Sequence, residues 1–441
     1  MFGLILIYLL TAIGVVGGLF RPVVGLFVYV GFAMLRPQYM WSFAGDMSGI
    51  SLYVGAATLV GWALKGFGGV ALGRGRVIVL LLLAFTGWAW LSATLGLDPA
   101  SSTLWVIELV KIVGPFMVGA TLLNTRRLIW GMLWVIVAAH GYIAYDMNNW
   151  YYFRGYNFIH ESGYGFMDNN SFALSLVTAL GLAGMLALAA RKWPERILAL
   201  LCALLIVSTV VMSYSRGAML GLGFVGLMAV VLTPKRPSYV VLMLVGSLAT
   251  ARLMGPQVQE RLATVFAEEE ERDGSAQSRL DLWKACLEIA ADNPLVGIGP
   301  RNFPLVASKY GFSAGKEAHS TWMQGAAELG FVGVGLLLLF YLVTMVKLLP
   351  LIMKKWTEET REDTLYAIGV FVSLAGFFVT SQFVTMAGLE TPYYVAMVAV
   401  AIAKSQRVTG AVPVIAPSAP RPLNLGTGLA STFRPRSASP R

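Results

Sequence analysis

Three short stretches carry the side chains best suited to polar chemistry. The first is Ser278-Arg279-Leu280-Asp281-Leu282-Trp283-Lys284-Ala285, with capping-box spacing from Ser278 to Asp281 and apolar continuation to Ala291 before Asn293-Pro294 stops it. This predicts a helix beginning at about Arg279. A cation in a first turn opposes the helix dipole, so its functional use would be an anion site shared between the guanidinium and free amide hydrogens. The alternative is a surface arginine paired with Asp281 or with the acidic run Glu268 to Glu271.

The second stretch, Ser213-Tyr214-Ser215-Arg216-Gly217, joins two apolar runs by a short turn and leaves Arg216 at the start of the second. It suits an anion in the same way, or simply snorkels to lipid headgroups. The third, Ala318-His319-Ser320-Thr321-Trp322-Met323-Gln324, sets His319 near the start of a helix. A helix N-terminus keeps an imidazole neutral, which is the state a general base needs. The bland reading is a structural histidine. His140 falls inside an apolar run, and His160 lies in a different loop.

The elements that must position these residues are membrane helices. Of the 441 residues 57% are hydrophobic and only 13% charged, with a mean hydropathy of +0.69. That excludes a water-soluble globule, and the long continuous apolar runs exclude a β-barrel. The fold class expected is all-α and polytopic, with about twelve spans. They are read near 50–64, 77–96, 104–123, 128–145, 171–190, 197–214, 217–233, 239–254, 328–347, 365–385 and 390–403, with one more in residues 1–35. No cleavage site follows the first run, so that helix is expected to be retained.

Lys and Arg mark the cytoplasmic side of short loops. Alternate loops and the tail hold 20 basic and 5 acidic residues, and the remaining chain 13 basic and 18 acidic. The net charge of +10 therefore reports topology, not nucleic-acid binding. Both termini fall inside, which requires a single crossing in residues 1–35. Residues 36–49 fall outside, as do two sizeable segments, 146–170 and 255–327. The domain reading is transmembrane helices over 1–254 with the small outer loop 146–170, a periplasmic catalytic loop over 255–327, further spans over 328–403, and a disordered cytoplasmic tail over 404–441. The Glu268 to Glu271 run has no His or Cys spacing beside it and reads as a solvated helix face, not a metal site. Glu108 and Lys111, three apart in one span, most simply neutralise each other as the one buried pair, the minority reading being a proton relay.

The outer Arg216, then Arg279 with Trp283, then Asn293-Pro294-Leu295-Val296-Gly297-Ile298-Gly299, then His319 before Glu328-Leu329-Gly330, resembles the O-antigen ligase and polymerase superfamily. Asp168-Asn169-Asn170 is similar to that family's acid-x-Asn element. The resemblance implies a GT-C-like membrane glycosyltransferase of the bacterial inner membrane, its active site facing the periplasm. The implied donor is a glycan on undecaprenyl diphosphate, the implied acceptor the lipid A-core of lipopolysaccharide. Arg216 and Arg279 would hold the diphosphate and His319 would activate the acceptor hydroxyl, with no cofactor and no metal. Asp168, Asn170 and Trp283 are further candidate substrate contacts. So are Arg154 and Tyr156 in the aromatic loop Trp150-Tyr151-Tyr152-Phe153-Arg154-Gly155-Tyr156, which stacks on sugar rings or forms an interfacial belt. Competing readings are an O-antigen polymerase, a protein O-oligosaccharyltransferase and, from another class, a flippase for the same lipid-linked sugar.

Overall fold

The computed structural model describes residues 2–40, 49–235, 237, 239–241, 274–385 and 388–405. The acidic run Glu268 to Glu271, most of the expected span 239–254 and the expected tail beyond Ser405 lie outside them. Among the described residues the chain is helical, and eight helices are long and apolar enough to cross a membrane. Shorter apolar helices add to them at Pro22–Leu35, Ile50–Leu64 and Arg216–Leu232. The protein is an all-α polytopic membrane protein.

We label the helices α1 (Phe2–Phe20), α2 (Pro22–Leu35), α3 (Ile50–Leu64), α4 (Arg76–Leu95), α5 (Pro99–Leu122), α6 (Arg126–Arg154), α7 (Asn169–Ala189), α8 (Trp193–Met212), α9 (Arg216–Leu232), α10 (Gly274–Asp292), α11 (Thr321–Ile352), α12 (Arg361–Ser381) and α13 (Glu390–Ser405). Helix α7 is the central post, buried along nearly its whole length between α8, α12, α9 and α6. His140 of α6 belongs to this interior, its Nε2 2.9 Å from Ser175 Oγ on α7 and its Nδ1 2.8 Å from the Ile136 carbonyl. It is a satisfied core histidine.

Four expectations need correction. Residues 1–35 do not make one crossing: α1 and α2 form an antiparallel hairpin, with Gly14 facing Val28, Gly17 facing Val24 and Gly18 against Gly25. Arg21 leaves helical geometry and Pro22, lacking an N–H, starts a new helix, while the small residues let the two backbones touch. Lys404 and Ser405, assigned to the tail, complete α13, and Lys404 Nζ donates to the Thr121 carbonyl at 2.9 Å. The Glu108–Lys111 pair exists, at 2.7 Å, but both side chains are more than half exposed on the surface of α5. The fourth correction concerns α10. It begins at Gly274, so Arg279 lies in its second turn and Ser278 is not its cap. Nothing in the preceding turn breaks a helix, and Gln277 instead donates to Asp281 along the same face at 3.0 Å.

The ends of the bundle are chemically distinct. At one end Arg126 meets Asp363 at 2.7 Å and Arg191 meets Glu362 at 2.6 Å, joining the start of α6 and the end of α7 to the start of α12. At the opposite end lie the starts of α7, α9 and α11.

A latch seats the segment after α10 on that second end. Gly330 breaks α11 with φ 68°, freeing the carbonyls before it. Ile298 N–H donates to Ala327 O at 3.0 Å, Gly299 N–H to Glu328 O at 2.8 Å, and Phe331 N–H to Pro294 O at 2.9 Å. Ser92 Oγ on α4 donates to Val296 O at 2.6 Å, and Leu97 N–H to Ile298 O at 2.9 Å. Gly297 has φ 68° and Gly299 φ 96°, and a Cβ on either would strike backbone, of Glu328 and Gly96 respectively. The close approach demands glycine at both positions.

Candidate active site

Arg216 is the first residue of α9, whose N-cap Ser215 accepts the Ala218 amide at 3.3 Å. Asp168 caps α7 by accepting the Ser171 amide at 2.8 Å, while its other oxygen takes Asn170 Nδ2 at 3.3 Å. The neighbouring Asn169 ties the turn before Arg216 to this cap, its Nδ2 donating to Ser213 O at 2.9 Å. Two helix starts are thus fastened side by side.

Arg279 and Trp283 lie four apart on one face of α10. Trp283 Nε1 donates to the Ala318 carbonyl at 3.1 Å, which fixes the residue before His319. Its ring lies 6.5 Å from that of Phe383, and Phe383 packs against Gly217, next to Arg216. Through Trp283, α10 therefore touches the histidine loop directly and reaches the start of α9 by way of Phe383.

The histidine loop is clamped from the far side as well. Gln324 Oε1 accepts the Ala318 amide at 2.9 Å and Thr385 Oγ1 at 3.0 Å, and its Nε2 donates to Glu328 at 2.9 Å. Ser320 caps α11 through the Met323 amide at 3.3 Å, and Thr321 Oγ1 donates to Val384 O at 2.7 Å. Between these anchors His319 adopts φ 50°, the left-handed region that non-glycine residues avoid. The tertiary bonds on either side sustain that conformation.

Electrostatics report what shares this space. The pKa of Arg279 is lowered by burial first and by the Arg216 charge second. That of His319 is lowered by burial, then by Arg279 and Lys316, with Asp168 opposing. The shift favours the neutral imidazole. Glu317 keeps solvent access, but the protein around it and then Asp168 raise its carboxyl above the usual range, with Arg301 opposing. The structure thus brings together Arg216, Arg279, His319, Asp168, Asn170 and Trp283. Sequence reasoning missed Lys316, Glu317, Arg301 and Gln324. Gln324 stood in the quoted histidine stretch without a role, and Arg301 gave no local signal.

Arg154 and Tyr156 belong to an adjoining surface. Arg154 stacks over Trp150 at 3.9 Å, and Tyr156 Oη lies 3.2 Å from Ser162 Oγ. Among the described residues, no group of three His, Cys, Asp or Glu side chains gathers as a metal site.

Fold and site define a polytopic helical membrane protein that presents two arginines and a neutral histidine at one end of its bundle. Residues 200–340, a segment that contains Arg216, Arg279 and His319, match the family model described as O-antigen ligase. Residues 1–148 match a family of unknown function. No curated protein matches the chain.

Proposed function

We propose that the chain is an inverting, metal-independent glycosyltransferase that moves O-antigen polysaccharide from undecaprenyl diphosphate to a lipid A-core sugar. The observation that carries this reading is the meeting of Arg216 and Arg279, from separate segments, beside a neutral His319. Arg216 lies near enough to lower the pKa of Arg279, so the two guanidinium groups repel, and an anion with several oxygens between them reverses the sign of that interaction. A diphosphate leaving group is such an anion, and its charge grows as the bond to the sugar breaks.

In the reaction the acceptor hydroxyl attacks the anomeric carbon from the face opposite the diphosphate. The new carbon–oxygen bond forms as the bond to the phosphate oxygen breaks, and that oxygen keeps the electron pair. The anomeric configuration inverts. His319 accepts the hydroxyl proton, and Trp283 and Gln324 hold its loop in position from either side.

The test is glycan transfer by purified protein in detergent, with lipid-linked glycan, lipid A-core acceptor and EDTA present. Transfer is expected to proceed. Arg216→Ala or Arg279→Ala should each weaken donor use, and Arg→Lys should not fully restore it because the bidentate fork is lost. His319→Ala should leave donor binding largely intact and slow transfer by about a hundredfold or more. A His319→Ala protein as fast as wild type, or activity lost in EDTA and regained with Mg²⁺, would sink the mechanism. Transfer only to a second lipid-linked repeat or to a protein hydroxyl would reassign the acceptor, and lipid movement without transfer would identify a flippase.

A further inference from the structure

We propose that the cavity beside Tyr214 binds the glycan of the lipid-linked donor, an inference that rests on the donor reading above. The cavity measures about 580 Å³ and is walled by Tyr151, Tyr152, Tyr156 and Tyr214 with His160 and Glu161. That volume lies within the roughly 300–1,000 Å³ of small-molecule sites. Its chemistry is amphipathic in the way a sugar is. Phenol rings offer apolar faces to the C–H face of a pyranose, while their hydroxyls, the imidazole and the carboxylate offer partners to ring hydroxyls.

The rings form a braced wall. Tyr151 and Tyr152 meet edge to face at 5.1 Å, His160 and Tyr214 at 4.9 Å, and Trp150 supports Tyr156 at 6.3 Å. An interfacial belt would present its aromatics to headgroups, where a carboxylate such as Glu161 is a poor neighbour of lipid phosphates. Here rings and carboxylate close on one concavity.

Position selects the donor glycan. Tyr214 precedes Arg216 by two residues, so their Cα atoms lie at most about 7.6 Å apart. The chain leading into Tyr214 is pinned by two neighbours, Asn157 Nδ2 donating to Met212 O at 2.9 Å and Asn169 Nδ2 donating to Ser213 O at 2.9 Å. A sugar attached to a diphosphate on Arg216 begins beside this wall. Tyr214 itself holds φ 53°, in the left-handed region, and its ring lines the cavity against His160.

The experiment measures binding of two lipids to purified full-length protein in nanodiscs. One is undecaprenyl diphosphate bearing glycan drawn from the host's own lipid-linked pool, and the other is bare undecaprenyl diphosphate. The double variant Tyr152→Ala with Glu161→Gln changes two exposed side chains, so the fold should persist. It is expected to weaken the glycan-bearing lipid by about tenfold or more and to leave the bare lipid unchanged, whereas Arg216→Ala weakens both. If the double variant holds the glycan-bearing lipid as tightly as wild type does, the cavity assignment is overturned and the donor reading stands. If wild type binds neither lipid, the donor reading fails and takes this inference with it.

Discussion

His319 shows how the neighbourhood sets a residue's chemistry. Burial and the positive charges of Arg279 and Lys316 all disfavour the imidazolium, and only Asp168 favours it. Activity that depends on the neutral ring should fall as pH drops through a value below the ordinary imidazole pKa of about 6.5. Lys316→Gln removes one cation and should move that acidic limb to higher pH with little change in the plateau rate. A rate profile whose limb does not move in this variant would separate His319 from the titration. The helix starts at Arg216 and His319 were legible in the sequence because capping is local, a serine followed by free amides. Glu317, Arg301 and Asp168 come together only through packing, and no spacing along the chain announces that.

At the scale of elements, the latch explains two sequence stretches that looked independent. Asn293 to Gly299 and Glu328 to Gly330 form one set of backbone hydrogen bonds, with glycine where the two segments touch. Their order was readable, but their pairing depends on the break at Gly330. The start of α10 was misread for a related reason: Ser278 and Asp281 carry capping spacing, yet Gly274 to Gln277 offer no barrier to helix, and tertiary packing extended it. The anion-site argument from free amides therefore applies to Arg216 and not to Arg279, which contributes through its guanidinium alone. The latch yields a test. Gly297→Ala places a Cβ 2.4 Å from the Glu328 carbonyl carbon at φ 68°. The left-handed backbone alone costs about 1–2 kcal/mol, and the clash adds to it. The variant should still purify as a monodisperse membrane protein but lose transfer activity, and limited proteolysis should cut the segment 274–320 faster than in wild type. Wild-type protease resistance with full activity would show that the latch does not seat the site.

For the whole molecule, the distribution of charge is the argument. The sequence reading rested on alternate loops rich in Lys and Arg, and the fold gathers several of them, Arg126 and Arg191 among them, at the end of the bundle away from Arg216 and His319. Parity for every loop after residue 65 is anchored on the basic 65–76 loop, so the hairpin of α1 and α2 leaves it unchanged while removing the argument that set the N-terminus inside. Hydropathy could not resolve that hairpin, because both of its helices are apolar and the turn between them is only Arg21-Pro22. Membrane-impermeant thiol labelling from outside tests the orientation directly. With native Cys202 and Cys286 replaced, Ser275→Cys and Tyr156→Cys should react, whereas Arg74→Cys, Lys235→Cys and Thr357→Cys should stay protected until the membrane is opened. The two reactive positions flank the candidate site, one on α10 and one in the aromatic loop. Reaction at Lys235 from outside would invert the bundle, turn Arg216, Arg279 and His319 toward the cytoplasm, and leave a periplasmic acceptor no route to the histidine.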